Sequence, residues 1–124
     1  MSTHDAKKAA QGAQKHDGGK DCRPGLIAPE MTRGIGTVLA FGARKYAPGN
    51  WAKGMDWSRP IDAFDRHWTA WKSGEKCDPE TGHSHLWHAG CCLMFLIAYE
   101  ARGVGRDDRV DCGLVAEPSQ EPTP

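Results

Sequence analysis

Apolar residues recur at helical spacing in three stretches of this chain. In the first, Met31, Ile35, Val38, Leu39 and Gly42 fall on one stripe. The helix they predict follows Pro29, a favoured first-turn residue, and runs to about residue 46. Gly34, Gly36 and Gly42 lower its intrinsic helicity, yet such small residues let a neighbouring helix come close. The segment APGNWAKGMDW then breaks it with Pro48, Gly49 and Gly54. A second helix is predicted from Ser58, a good N-cap with Pro60 just inside the start, to Gly74. Ile61, Phe64, Trp68 and Trp71 lie close to one of its faces. The polar loop EKCDPETGHS leads into a third helix, about residues 84–101, stopped by Gly103. After His88 that helix is apolar nearly all round, which predicts burial on several sides, in the core or in an oligomer interface. No stretch reads as a strand and none repeats. The expected fold is all-α, a compact bundle of three main helices.

Both ends break the pattern. Residues 1–16 are polar with no apolar face, and residues 104–124 are charged and then rich in Pro, Glu and Ser. Both are expected to be disordered tails. That leaves one domain, residues 17–103, whose core is small for its surface. Such a chain is commonly completed by oligomerisation, here a homodimer or homotetramer meeting through residues 93–99.

Lys plus Arg and Asp plus Glu both number 16, so the net charge is zero. This argues against stable nucleic-acid binding, which usually shows a strongly basic face. It leaves room for a small anionic ligand held by local cations or a metal. The five cysteines form no C-x-x-C pair, and no signal peptide is visible. Cys91 and Cys92 sit in the apolar helical run and read as reduced core residues. A cytoplasmic protein is expected, and no apolar run approaches the roughly 20 residues of a membrane span.

The densest chemistry lies in RHWTAWKSGEKCDPETGHSHLWH, residues 66–88, which holds four of the six histidines together with Glu75, Asp78 and Glu80. His85 and His88 are three apart at a helix start and share a face. His67 and Trp71 are four apart, and Glu75 extends that line past the helix end. Imidazole and carboxylate converging from two helices suit a divalent metal, with His67, Glu75, Asp78, His85 and His88 as candidate ligands. Carboxylate-rich sites suit Mg²⁺ or Mn²⁺; imidazole-rich ones suit Zn²⁺, Mn²⁺, Ni²⁺ or Fe²⁺. A structural zinc site from Cys77, His83, His85 and His88 competes, although its spacing matches no common zinc module. Asp78-Pro79-Glu80-Thr81-Gly82 also reads as a plain turn.

A second cluster is GARKYAPGNW, residues 42–51. Lys45 brings a positive charge, Tyr46 and Trp51 bring flat surfaces, and Asn50 both donates and accepts. The mixture suits a nucleotide, with base on aromatic and phosphate on cation. Upstream, Lys20 and Arg23 flank flexible glycines, a segment that either closes over phosphates or links. The chain has no Walker loop, no G-x-G-x-x-G and no G-x-S-x-G. With Cys91 and Cys92 poorly placed as nucleophiles, a metal-activated water is the expected nucleophile.

The run DGGK, then PEMTRGIGTVLAFGARKYAPGNW, then RHWTAWKSGEKCDPETGHSHLWHAGCCLMFL resembles the phage-associated dATP/dGTP diphosphohydrolase N-terminal domain family. That family is similar to the all-α MazG-like nucleoside triphosphate pyrophosphohydrolases. The likeness covers about residues 15–103. It is most specific in FGARKY with NW, and in the spaced set from Arg66 and His67 through Glu75, Asp78 and His85 to His88. The resemblance implies hydrolysis of a purine deoxynucleoside triphosphate, dATP or dGTP, to the monophosphate and pyrophosphate with Mg²⁺ or Mn²⁺. The implied metal residues are His67, Glu75, Asp78, His85 and His88, with Glu30 a weaker addition. The implied nucleotide residues are Lys45, Tyr46, Asn50 and Trp51, with Lys20 and Arg66 as further phosphate cations. Glu75 and His67 are the expected catalytic groups, Glu75 as the acceptor of the water's proton. The expected role is adjustment of the dNTP pool in a phage-infected host cytoplasm. MazG-like enzymes usually carry E-x-x-E and E-x-x-D motifs on helices, and none of the predicted helices carries either, so the ligand set is rebuilt with histidines. The alternative from another class is a non-enzymatic, zinc-stabilised helical interaction module.

Overall fold

Pro29 opens the first long helix, α1 (Pro29–Lys45), with Glu30 in its first turn beside the positive end of the helix dipole. The computed structural model describes residues 21–110. Within them a 3-10 turn (Pro24–Leu26) precedes α1, a second one (Asn50–Lys53) follows it, and then come α2 (Ser58–Lys72) and α3 (His85–Arg102). No strand occurs among the described residues; two isolated bridges join Asp56 to Arg106 and Cys77 to Ser84. The fold is all-α, as expected. Helix α3 is its centre, because α1 and α2 both pack against it. Its start is capped by Ser84, whose hydroxyl accepts the Leu86 N–H at 3.1 Å. Its end is set by Gly103, left-handed at φ 65°.

Small residues let α1 approach α3, as the sequence predicted, but only at particular points. Gly34 is buried under the Trp87 indole, and a Cβ there would collide with that ring. On α3, Gly90 accommodates the end of Ile35, which a Cβ would meet at 3.2 Å. Gly36 and Gly42 instead face open space. Met31, expected on the covered stripe, stays half exposed.

Helix α2 departs from its predicted apolar face. Trp68 and Trp71 stack on each other with centroids 5.5 Å apart, and both remain exposed. The buried residues are Pro60 and His67, seven positions or two turns apart on one face. A polar side chain therefore occupies one of the two buried positions of the helix.

The expected boundary at residue 103 also shifts. Residues 104–110 pack against the start of α2. The Trp57 indole N–H donates to the Val104 carbonyl at 2.9 Å, and the Trp57 backbone N–H donates to the Arg106 carbonyl at 2.9 Å. Arg106 forks onto Asp56 at 2.9 and 3.0 Å. Asp108 accepts both the Ser58 N–H, at 2.8 Å, and the Ser58 hydroxyl, at 2.6 Å. Ser58 was expected to cap α2; the cap comes from Asp108, fifty residues later in the chain. A run that reads as solvated charge is held because its charges have partners on α2 and the segment before it. The tail expected over residues 1–16, and residues 111–124 of the other, lie outside the described residues.

The core is small. Ala89, Cys91, Cys92 and Tyr99 of α3 are its buried apolar members. Tyr99 is fully buried and donates to the Trp51 carbonyl at 2.7 Å, which pins the second 3-10 turn to α3. Helix α3 is not covered all round: Leu93 and Ile97 are 42% and 62% exposed, so one flank lies open where the expected interface at residues 93–99 would fall.

Candidate active site

Four imidazoles meet where α2, the following loop and the start of α3 converge. His67 on α2 is buried, and so is His85 in the first turn of α3. Their Nδ1 atoms lie 2.9 Å apart. On its other side, His85 Nε2 is 2.7 Å from Glu75 Oε1. One turn along α3, His88 lies parallel to His67, with centroids 4.4 Å apart and planes within 7°. His88 Nε2 is 2.8 Å from the Thr81 hydroxyl and 3.7 Å from Asp78 Oδ2. His83 sits nearby, edge-on to Phe41 at 5.9 Å.

The loop holds Asp78 in place through its backbone. The Asp78 N–H donates to the His83 carbonyl at 2.8 Å, and the Gly82 N–H donates to the Asp78 carbonyl at 2.7 Å. Gly82 turns at φ 74°, a conformation that suits glycine. Asp78 Oδ1 accepts the Glu80 N–H at 3.1 Å, an Asx turn, so the segment that reads as a plain turn is one and also aims a carboxylate.

His67, Asp78 and His88 offer ligand atoms that all lie within 4.8 Å of one another. Among the described residues this is the group able to converge on one ion. Two imidazoles and one carboxylate leave coordination positions open for water or substrate, as catalytic sites do and closed structural sites do not. Burial pushes the His67 pKa down to about 4, with the fields of His88 and Arg66 adding and Asp78 opposing. Burial also lowers His88, again against Asp78. Both shifts favour the neutral imidazole, the form that binds metal.

Beside this cluster lies a cleft of about 600 Å³. Its lining combines the second half of α1 and the segment Lys45–Trp51 with His67, His88, Cys91, Cys92 and Phe95. Gly36 and Gly42 line it, and their missing side chains keep it open. The lining is mostly apolar with a few polar groups, the usual make-up of a small-molecule site. Cys91 and Cys92 form part of that lining. Burial raises their thiols to about 12 and about 11, which leaves them unreactive, as expected.

The structure sorts the residues singled out in the sequence. His67, Asp78 and His88 come together. Glu75 and His85 stand behind His67, joined to it by hydrogen bonds, and are outside the three-residue group. Glu75 and Asp78 do have E-x-x-D spacing, but on a loop, where the two carboxylates serve different histidines. Glu30 is exposed in the first turn of α1 and belongs to no such group. Cys77 is exposed and likewise outside it, so the competing Cys77, His83, His85 and His88 set is not gathered. Lys45, Tyr46, Asn50 and Trp51 all line the cleft. Trp51 is partly committed to the fold, stacked on Phe95 at 5.1 Å with the Arg102 guanidinium 5.4 Å from its ring centre. Arg66 is exposed next to His67, and Lys20 lies outside the described residues. Sequence reasoning missed Thr81, hidden in what reads as a turn. It also missed Phe41, Met55 and Phe95 as cleft walls, since nothing in an apolar run marks which members face a cavity.

The arrangement is that of an all-α protein with a His–Asp–His cluster opening onto an apolar cleft. No helix among the described residues is long and apolar enough to cross a membrane. The chain belongs to the family described as dATP/dGTP diphosphohydrolase, N-terminal, whose model matches residues 10–109. It is 37% identical over 84 residues to a dATP/dGTP diphosphohydrolase of Salmonella phage PMBT28, a match covering 68% of this chain and 29% of that relative. The chain thus spans less than a third of the curated relative it matches. No solved structure matches it.

Proposed function

We propose that this chain forms the metal- and nucleotide-binding part of an enzyme that hydrolyses a purine deoxynucleoside triphosphate to its monophosphate and pyrophosphate. The observation that carries the reading is that one cleft is lined by both sequence clusters, by His67 and His88 of the first and by Lys45–Trp51 of the second. The relative's name, dATP/dGTP diphosphohydrolase, supports the substrate class.

His67, Asp78 and His88 would hold a divalent ion. Two neutral imidazoles with one carboxylate fit Mn²⁺ better than Mg²⁺, which prefers oxygen ligands. Such an ion supplies charge neutralisation at phosphate oxygens and a bound water of lowered pKa. The protein's own groups do the rest. The apolar walls take the sugar and base and exclude water from that part of the cleft. Lys45 and Arg66 supply positive charge for the leaving pyrophosphate. Water adds to the α-phosphorus, the bond to the bridging α–β oxygen breaks, and the water's proton passes to a carboxylate of the site. Such an activity would remove a purine dNTP from the pool open to DNA synthesis.

The test is a panel of dNTPs and NTPs with Mn²⁺, Mg²⁺ and Zn²⁺, read by separation of nucleotide products and by pyrophosphate release. Conversion of dATP or dGTP to the monophosphate with pyrophosphate is expected. No product above the protein-free blank, in any combination, would show the reading to be wrong for this chain.

A further inference from the structure

The hydrogen bonds behind the cluster form a line from the surface inwards: Glu75 Oε1 to His85 Nε2 at 2.7 Å, then His85 Nδ1 to His67 Nδ1 at 2.9 Å. Glu75 is 52% exposed and the His85 side chain only 5%. With His85 neutral, the chemistry of the partners sets where the protons sit. An ionised carboxylate can only accept, so the proton at the first bond belongs to His85 Nε2. A neutral His85 then has a bare Nδ1, which accepts. Its partner, His67 Nδ1, must carry the second proton. A neutral His67 protonated on Nδ1 has its lone pair on Nε2.

We propose that Glu75 and His85 are positioning residues, which set the Nδ1–H tautomer of His67 and so leave His67 Nε2 as the ligating atom beside Asp78 and His88. This rests on the metal reading of the site given above. It differs from the ligand set inferred from sequence, in which Glu75 and His85 bind the ion themselves. A ligating His85 would have to give up one of its two hydrogen bonds inside a buried space. Ligand histidines generally have their second nitrogen tied to a carboxylate or carbonyl. Here the carboxylate acts at one remove, through a second imidazole.

The alternative proton arrangement is specific and opposite. If His85 is an imidazolium, both its nitrogens donate, His67 Nδ1 accepts, and His67 Nε2 carries a proton that blocks ligation. Long-range ¹H–¹⁵N correlation spectra of the metal-free, histidine-labelled chain at neutral pH distinguish the two. The expected result is His67 as the Nδ1–H tautomer and His85 as the Nε2–H tautomer. A His67 protonated on Nε2 overturns the proposal. The second arm is Mn²⁺ binding followed by electron paramagnetic resonance, with circular dichroism verifying that each variant is folded. Glu75→Ala is expected to weaken Mn²⁺ about 10–100-fold, the usual loss when the partner of a ligand histidine is removed. Glu75→Gln, whose amide oxygen still accepts from His85 Nε2, is expected to keep most of the affinity. If Glu75→Gln loses as much as Glu75→Ala, Glu75 acts as a charged ligand and the proposal is wrong. A wild-type chain that binds no Mn²⁺ overturns it too. Neither arm uses a nucleotide, so failure to hydrolyse dNTPs would sink the activity and leave the relay standing.

Discussion

Acidification of the metal-free protein gives a quantitative test of how the histidine cluster is built. His67 is buried, and its pKa falls from 6.5 to about 4. Above pH 6.5 the imidazole is neutral in both folded and unfolded chains and costs nothing. Between 6.5 and about 4 the unfolded chain binds the proton and the folded one does not. Stability is therefore lost as pH falls through that window, and the loss levels off below it. At 1.36 kcal/mol per unit, the whole shift corresponds to about 3 kcal/mol, a large part of a small domain's stability. His88 is lowered for the same reason and adds in the same direction. The carboxylates act elsewhere on the scale. Asp56, Asp107 and Asp108 are held below the usual 3.8 by hydrogen bonds from Arg106, Arg109 and Ser58, so their contribution disappears only below about pH 4. Urea unfolding in EDTA at half-unit steps from pH 7.5 to 4 reads the histidine window directly. The wild type should lose stability steadily below pH 6.5, and His67→Gln should lose much of that slope whatever its starting stability. A wild-type curve that is flat between pH 6.5 and 4.5 would show that His67 is not held neutral by burial.

Four further outcomes follow from particular contacts. His88→Ala should keep the helical circular dichroism spectrum while lowering dNTP turnover by about 10² or more, the scale for loss of a transition-state charge stabiliser; unchanged turnover and Mn²⁺ affinity would remove it from the site. Asp108→Ala should lower the melting temperature by stripping the cap from α2, with Asp108→Asn milder; equal melting of all three proteins would mean that residues 104–110 do not brace α2. Gly34→Ala places a methyl group against Trp87 and should cost about 1–3 kcal/mol in chemical unfolding, as overpacking does; no loss would mean that α1 slides freely on α3. Trp51→Ala should both raise KM and destabilise the fold, by about 2–3 kcal/mol for a partly buried aromatic, because its ring rests on Phe95; a change in KM without any change in melting would make it a pure ligand contact.

The helices were legible because their signals are local. Pro29 and Gly103 are end markers whose effect depends on neighbours a turn away, and both act as read. The cap of α2 was not legible, because its acceptor is Asp108 and nothing near Ser58 announces it. Nor was the buried face of α2. Hydropathy puts Trp68 and Trp71 inwards, but the histidines of α3 and the loop make a polar surface that receives His67 instead, and the tryptophans stack on each other outside. The candidate site was legible as a cluster of residue types between residues 67 and 88. Its division of roles was not, since spacing along a loop does not say which nitrogen faces which oxygen.

That division has a physical logic. The side chains proposed as ligands from the sequence lie close together, and they differ in what already holds them. His85 uses both nitrogens, one on Glu75 and one on His67, so binding an ion would cost it a hydrogen bond that burial makes expensive to lose. Asp78 is held through its backbone and an Asx turn by Oδ1, which directs Oδ2 towards His88. His67 spends Nδ1 on His85, which leaves Nε2 as its second ring nitrogen. His88 is met at Nε2 by a hydroxyl, which can rotate to donate or accept and so can accommodate an incoming ion. His67, Asp78 and His88 are the three residues that offer ligand atoms within 4.8 Å of one another. His67 and His88 line the same cleft as Lys45, Tyr46 and Asn50, so an anion bound there would lie against both clusters.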